Sequence, residues 1–169
     1  MKKLLFILLI LPAFSFGQKC KYVKDKLYKD TSEVRVTTES TLSQGIGRPN
    51  VQVWLKKIND NYTLKVYYSS TYLRQEISIR TEDSLFIIME NGEELIFLAK
   101  SNELETVNGS NGIIIRSISG TYSATPAKFE KLTQSKPLKF KIGFNDKYYT
   151  HKISNPELLQ TAARCLLEK

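Results

Sequence analysis

The chain has 169 residues, of which 41% are hydrophobic and 25% are charged, and its formal net charge is +8. This composition excludes a fibrous or disordered chain, and the length is typical of one domain with a core large enough to need no structural metal. One His and two Cys are too few for a zinc site built from His and Cys ligands.

Residues 1–17 have the pattern of a secretory signal peptide. Lys2 and Lys3 precede an apolar run over 4–11, and small residues stand at positions −3 and −1 of a cut before Gln18. The apolar run is too short to span a bilayer, and no second run of membrane length follows in the sequence. We therefore expect cleavage before Gln18 and no transmembrane segment.

Export follows from this interpretation and places the protein in the periplasm or outside the cell. The mature chain would be a single β-rich domain over 18–169, with 23 basic residues against 17 acidic ones once Lys2 and Lys3 are removed. A lipid anchor on Cys20 is less favoured, because Lys19 stands where a lipoprotein signal requires a small residue.

The mature chain has two cysteines, Cys20 and Cys165, which lie near its two ends. In an oxidising compartment such a pair indicates a disulfide, and domain termini often lie close together. The alternative is a reactive thiol acting with His151. It is less favoured, because Cys165 lies near the end of the predicted C-terminal helix, whereas a helix N-terminus is the end that lowers a thiol pKa.

The first third of the chain predicts a surface segment, a strand and a loop. Residues 18–32 are polar and rich in lysine, and 33–37 alternate between apolar and polar residues as a half-buried strand does. Residues 43–50 contain two glycines and a proline, which indicate a loop.

A hairpin follows, with 51–59 and 62–70 as its strands and a turn at 60–61. This turn would place Trp54 opposite Tyr67 on one face. Lys56 and Lys65 would flank the two rings, which could form a flat platform for a sugar ring or a partner protein. The alternative is a second packed layer beneath a helix or a loop.

The middle of the chain predicts a strand over 74–81 and a second hairpin, 84–90 with 93–99, around an Asn-Gly turn. Both faces of this hairpin are apolar, so we expect it to be central and covered on both sides. A flexible loop over 108–112 and a strand over 113–119 follow.

A short helix is predicted from Thr125 to about 133, because Thr125 is a good N-cap and a proline follows it. A third hairpin pairs 137–144 with 147–153 around an Asn-Asp turn, and His151 lies opposite Phe140 on its inner face. Its outer face carries Lys139, Lys141, Tyr148, Thr150 and Lys152.

The chain closes on a predicted helix. Ser154 and Glu157 have the spacing of a capping box, and apolar residues then recur at helical spacing up to Leu166, with Cys165 facing inward. The whole pattern comprises roughly eight antiparallel strands. It predicts a mainly β protein, an antiparallel β-sandwich or partly closed barrel, with one short helix and a C-terminal helix.

The sequence offers little catalytic chemistry. It has no Gly-rich phosphate loop and no G-x-S-x-G elbow, and His151 is the only histidine base. Three local carboxylate pairs could hydrolyse sugars, but such pairs are ordinary in a chain of this size. They are Glu93 with Glu94, Glu103 with Glu105, and Glu82 with Asp83. We predict no cofactor and no metal. The pattern favours a non-enzymatic protein and leaves an enzymatic activity open.

The outer face of the third hairpin is the second candidate binding surface. Lys139, Lys141 and Lys152 surround Tyr148, so this face could contact an anionic polymer or lipid headgroups. Nucleic acid is not an expected partner outside the cytoplasm. The alternative is a solvated face on which lysines prevent edge-to-edge aggregation.

The signal ending in Phe-Gly before Gln18, the usage of Lys, Ile, Asn and Tyr, and the hairpins that close on Asn-Pro-Glu-Leu-Leu resemble uncharacterised small exported proteins of Bacteroidota. The resemblance is one of composition and implies no activity and no site residues.

We expect a non-enzymatic exported protein that binds a cell-envelope component, be it a protein, a glycan or an anionic surface. One alternative is a small β-barrel that binds an apolar ligand in its interior. A hydrolase is the second and less favoured alternative. The oligomeric state is left open.

Overall fold

The computed structural model describes residue 20 and residues 22–27, 33–37, 39–45, 47–110 and 112–168. The expected signal peptide and its cleavage site lie outside the described residues. So does the part of the expected surface segment between 28 and 32.

The described residues form thirteen strands and two helices. The strands of the first half are β1 (Tyr22–Leu27), β2 (Glu33–Thr37), β3 (Ser40–Ser43), β4 (Asn50–Ile58), β5 (Asn61–Ser70), β6 (Ser78–Ile79) and β7 (Ser84–Met89). The second half contributes β8 (Glu94–Ala99), β9 (Glu103–Leu104), β10 (Thr106–Ser110), β11 (Ile113–Ala124), α1 (Pro126–Gln134), β12 (Pro137–Phe144), β13 (Lys147–Lys152) and α2 (Pro156–Leu167). The predicted fold class, mainly β with a short helix and a C-terminal helix, is confirmed.

Eleven strands form one antiparallel sheet with the order β1-β2-β4-β5-β11-β8-β7-β12-β13, in which β3 also pairs with β4 and β10 with β11. Strands β6 and β9 pair separately. Tyr68 of β5 packs edge to face against Phe144 of β12, with ring centroids 5.0 Å apart, although three strands separate β5 from β12 in the order. The sheet therefore folds back on itself, and the inward faces of its halves pack together as in a sandwich.

The core lies between these inward faces, because apolar residues occupy every second position of the central strands. Its buried strand residues include Val53, Leu55, Leu64, Val66, Tyr68, Leu85, Ile87, Phe97, Phe140, Ile142 and Phe144. Phe129 and Leu132 of α1 and Leu159 and Leu166 of α2 join the same cluster. Burying each such side chain contributes about 1.5–3 kcal/mol, so the helices stabilise the sheet that they pack on.

The first hairpin, β4 with β5, forms as predicted but with a different register. Its turn begins one residue earlier, at Asn59, and Trp54 lies opposite Lys65 rather than opposite Tyr67. Asn59 has a φ of 49°, a left-handed conformation that Asn adopts more readily than most residues. Because the register shift is two positions, every side chain stays on its predicted face.

The second hairpin, β7 with β8, is central in the sheet order as predicted, but the expected cover on both faces is wrong. Ile96 and Leu98 are 43% and 44% exposed on the outward side of β8. Strand β11 pairs with β8 at only two positions, Tyr122 with Ala99 and Ser123 with Leu98, and then leads into α1. The exposure of Ile96 and Leu98 shows that the outward side of β8 is open at these two positions.

Two segments predicted to be irregular are strands. The Gly- and Asn-containing stretch around 108–110 is part of β10, and the lysine-rich N-terminal segment contains β1. Strand β11 has twelve residues and pairs with β5 along one edge, while Ile113–Ser117 pair with β10 along the other edge. Pairing along this long neighbour outweighs the local preference of Asn and Gly for turns.

The predicted strand over 74–81 is shorter than expected. Only Ser78–Ile79 forms a strand, although Ile77 and Ile79 are buried as predicted. The side chains of Asp83 and Glu105 accept hydrogen bonds from the backbone N–H groups of Arg80 and Ile77. These bonds satisfy backbone groups that a longer strand would have paired.

The third hairpin and the first helix agree with the sequence patterns. Asn145 and Asp146 form the turn, both with positive φ, and Phe140 lies opposite His151. Thr125 is the N-cap of α1, and its hydroxyl accepts from the backbone N–H of Lys128.

The second helix begins differently from the predicted capping box. Its N-cap is Asn155 rather than Ser154, and Asn155 makes no side-chain cap bond. The backbone N–H of Ser154 instead donates to the carbonyl of Leu42 at 2.7 Å. This contact with β3 fixes the entry into α2.

The predicted disulfide is confirmed. Cys20 and Cys165 are bonded, with their Cα atoms 5.5 Å apart and a sequence separation of 145. Nearby, the Tyr22 hydroxyl donates to the carbonyl of Cys165 at 2.7 Å, and the Arg35 guanidinium donates to the carbonyl of Glu168. These contacts hold α2 against β1 and β2. Neither helix in the described part of the chain has the length and apolar character needed to cross a membrane.

Candidate binding face

The predicted residues of the third hairpin share one outward surface, which we call the lysine face and define as Lys139, Lys141, Tyr148 and Lys152. Lys139 lies directly opposite Lys152 across β12 and β13. Alternation along β12 buries Phe140 and Ile142 completely, so the lysines between and beside them point away from the core.

Lys141 is held by two aromatic rings on this face. Its Nζ atom lies 4.4 Å from the ring centroid of Phe86 and 4.9 Å from that of Tyr148. The two rings contact each other edge to face at 5.6 Å. Gly143 makes room for this arrangement, because a Cβ atom there would lie 3.1 Å from the Tyr148 ring. The rings therefore fix the position of a cation at the surface.

The lysine face continues onto a group of apolar side chains, the apolar strip, which consists of Phe86, Ile88, Ile96 and Leu98. Ile88 lies opposite Lys139, and Phe86 lies opposite both Lys141 and Ile96. Sequence reasoning missed this strip because apolar residues on both sides of a hairpin indicated a covered strand. The exposed β8 side chains show that the strip is open to solvent.

The charged side chains on this surface are all positive. The outward positions of β7, β12 and β13 carry no carboxylate, and all of them are described. They are Ser84, Phe86, Ile88, Lys139, Lys141, Tyr148, Thr150 and Lys152. Crossing the sheet from β13 towards β8, the first outward-facing carboxylate is that of Glu94 on β8, opposite Ile88. The three lysines therefore create a positive potential that no neighbouring carboxylate on these strands neutralises.

The second predicted surface, around Trp54 and Tyr67, has a different geometry from the expected platform. Both aromatic side chains are half-buried on the outward side of β4 and β5. Trp54 pairs with Lys65, whereas Tyr67 pairs with Gln52. Because of the corrected register the two rings are diagonal neighbours instead of directly opposed.

Tyr67 lies in a groove and not on a flat exposed platform. Tyr67 lines an open groove of about 210 Å³ together with Glu103, Leu104 and Ser119. Lys65 is exposed and Lys56 is half-buried, both on the side of the sheet that carries Trp54. A binding role for these four residues stays a prediction.

His151 is half-buried on the inner side of β13 and has a structural setting. Its Nε2 atom lies 3.3 Å from the hydroxyl of Tyr68, and its ring packs against Phe140 with centroids 5.1 Å apart. Burial lowers the pKa of His151. A catalytic histidine needs a carboxylate or similar group to orient it, and the hydrogen bond described here joins His151 to a hydroxyl.

Four of the carboxylates that could have served a glycosidase make structural contacts. Glu105 pairs with Arg116 and accepts from the backbone N–H of Ile77. The remaining contacts are Glu103 with Ser101, Glu93 with Lys131, and Asp83 with Arg80. Within the described residues no cluster of three or more His, Cys, Asp or Glu side chains could hold a metal ion.

No protein-family model matches the chain, and no curated protein or solved structure is significantly similar to it. Its function has to be inferred from the chemistry of its surfaces.

Proposed function

We propose that this is a non-enzymatic exported protein that binds a component of the cell envelope through the lysine face. The observation that carries the proposal is the grouping of Lys139, Lys141 and Lys152 around the exposed ring of Tyr148, with no carboxylate at the outward positions of β7, β12 and β13. An unneutralised cationic surface with an accessible aromatic ring favours an anionic partner.

Three further features support this proposal. The Cys20–Cys165 disulfide is the kind of bond that persists in oxidising compartments. His151 makes a structural hydrogen bond, and Glu105 and Glu93, which could take part in hydrolysis, make ion pairs. The inward faces of the sheet are filled by large side chains such as Phe97, Phe140 and Phe144, which does not favour an interior site for an apolar ligand.

The test is recovery of envelope components on immobilised mature protein, followed by mass spectrometry of proteins, lipids and glycans. The test variant carries Lys139→Gln, Lys141→Gln and Lys152→Gln. We expect it to lose the component that the wild-type protein retains, because each lysine near an anionic surface contributes about 1 kcal/mol.

The matched control carries Lys56→Gln, Lys65→Gln and Lys100→Gln, which remove the same charge elsewhere on the surface. We expect this variant to retain the component. A wild-type protein that recovers nothing, or equal recovery by wild type and test variant, would overturn the proposal. Loss in the control alone would assign binding to the surface around Trp54.

A further inference from the structure

We infer that the envelope component is the anionic lipid surface itself, and that the lysine face and the apolar strip lie together on it. In this arrangement the lysines contact lipid phosphates while Ile96, Leu98 and Tyr148 enter the headgroup region. The inference rests on the proposed function and specifies its ligand. Three properties of this surface point to lipid.

The first property is the type of cation. Every basic residue at the outward positions of β7, β8, β12 and β13 is a lysine, and none is an arginine. Protein–protein interfaces are enriched in Arg and depleted in Lys, because the guanidinium binds carboxylates with paired hydrogen bonds. Lysine is a hydrated point charge on a flexible stem, which suits a fluid array of lipid phosphates.

The second property is the exposure of aliphatic and aromatic side chains beside these charges. Ile96 and Leu98 are 43% and 44% exposed, and Tyr148 is 52% exposed. Tyrosine is enriched at membrane interfaces, where its ring is buried and its hydroxyl stays in water. Large apolar side chains next to cations are the composition of surfaces that lie on anionic bilayers.

The third property is the placement of these groups on one side of the sheet. They lie on four consecutive strands, β8, β7, β12 and β13. Neighbouring strands are about 4.8 Å apart, so the surface is roughly 15 Å across. The lysine stems extend beyond the strand plane and keep the ammonium groups in water. Apolar insertion and phosphate contact can therefore occur at the same time.

The inference is tested by co-sedimentation of the mature protein with vesicles of phosphatidylcholine, with and without phosphatidylglycerol. We expect binding only to the anionic vesicles, and a steep loss of binding as salt rises, because exposed charges are screened within about 10 Å at 0.1 M. Replacing Lys139, Lys141 and Lys152 by Gln should weaken binding by roughly 100-fold, about five-fold for each lysine.

The apolar contribution is tested with Ile96→Ser combined with Leu98→Ser. We expect this variant to bind anionic vesicles several-fold more weakly and to remain folded, with a modest fall in its unfolding midpoint because both side chains are partly exposed. The matched control is Ile113→Ser with Ile115→Ser, which changes two isoleucines of similar exposure, 56% and 38%, on β11. The control should bind as the wild-type protein does.

The outcomes separate this inference from the proposed function. Absence of binding to anionic vesicles, or full binding by the Ile96→Ser and Leu98→Ser variant, would overturn the inference. The wild-type protein could show no binding to anionic vesicles while the lysine variant still loses a protein or glycan from the envelope. In that case the proposed function stands and only its lipid assignment is wrong. If the lysine variant recovered envelope components and bound vesicles as the wild-type protein does, both the proposed function and the inference would be overturned.

Discussion

At the scale of single residues, two buried tyrosines differ in what their hydroxyl groups meet. The Tyr122 hydroxyl is buried and makes no hydrogen bond, although Tyr122 lies among described residues of the core. The Tyr68 hydroxyl lies 3.3 Å from Nε2 of His151. Burial raises the pKa of both phenols, so both remain neutral at ordinary pH. The cost of burying the hydroxyl is compensated only at Tyr68.

This difference predicts opposite effects of the same substitution. Tyr122→Phe removes an unsatisfied buried hydroxyl and should increase the free energy of unfolding by about 1 kcal/mol or more. Tyr68→Phe removes a hydrogen bond and leaves the His151 nitrogen without its partner, so it should decrease that free energy by about 1 kcal/mol. Urea denaturation of both variants measures the change. Equal destabilisation by both substitutions would contradict the assignment of their hydroxyl groups.

His151 gives the fold a predicted sensitivity to acid. Burial lowers its pKa in the folded state, so the unfolded chain binds a proton at a higher pH than the folded protein does. The free energy of unfolding should therefore be highest above about pH 6.5, the ordinary histidine value, and fall as the pH drops through the lowered pKa.

The measurement is the urea midpoint of wild type and of His151→Gln at several values between about pH 7.5 and about pH 5. The variant has no group that titrates in this window at this position. We expect its stability to change less than that of the wild type. Parallel curves for the two proteins would show that His151 does not cause the acid sensitivity.

Glycine at one core position is required by close packing. A Cβ atom on Gly120 would lie 2.7 Å from Cδ1 of Ile79 and 2.9 Å from the ring of Tyr122. Gly120→Ala should therefore decrease the free energy of unfolding by about 1–3 kcal/mol. Gly109→Ala is the control, because its Cβ would meet only the carbonyl of Ile113, at 3.7 Å. A thermal unfolding midpoint unchanged by Gly120→Ala would mean that Ile79 can move aside at little cost.

At the scale of elements, the two helices begin with different caps. The Thr125 hydroxyl accepts from Lys128, 3.4 Å away, whereas Asn155 makes no side-chain cap bond. We expect Thr125→Ala to decrease the free energy of unfolding by about 1 kcal/mol, and Asn155→Ala to have a much smaller effect. Chemical denaturation compares them directly. A larger loss for Asn155→Ala would indicate a capping contact in solution that is absent from the structure.

The elements that the sequence predicted well depend on short-range information. The Asn145-Asp146 turn, the alternation in β12 and β13 and the Thr125 cap are each specified within about ten residues. The outward placement of Lys139 and Lys141 follows from that alternation, so the lysine face was predictable.

The elements that were mispredicted depend on distant neighbours. Strand β10 forms because β11 offers it a pairing edge opposite to the one that β5 occupies, and the exposure of the outward side of β8 depends on what packs over that face. No local pattern carries this information. Phe86 and the rest of the apolar strip were missed for the same reason, since their exposure depends on which strand or helix covers them.

At the scale of the whole molecule, the disulfide joins the two ends of the described chain. In the chain-entropy model a loop of 145 residues contributes roughly 5 kcal/mol to the free energy of unfolding. The double variant Cys20→Ala with Cys165→Ala should lose about that amount, or less if the unfolded chain stays compact.

Urea unfolding of the wild-type protein with and without reductant measures the same quantity without a mutation. Reductant should shift the midpoint of the wild type and leave that of the double variant unchanged. If alkylation without reductant labelled both thiols of the folded protein, the bond would not be present in solution.

The disulfide also makes the molecule a covalent ring between Cys20 and Cys165. A protease that cuts once in the segment between β3 and β4 would release no fragment, because the disulfide would still join the two pieces. The order of elements in the cut protein would begin at β4 and run to α2. The disulfide would then connect α2 to the piece that carries β1, β2 and β3. The break would fall outside every strand of the sheet, so a nicked molecule could persist with its pairings intact and be recognised only after reduction.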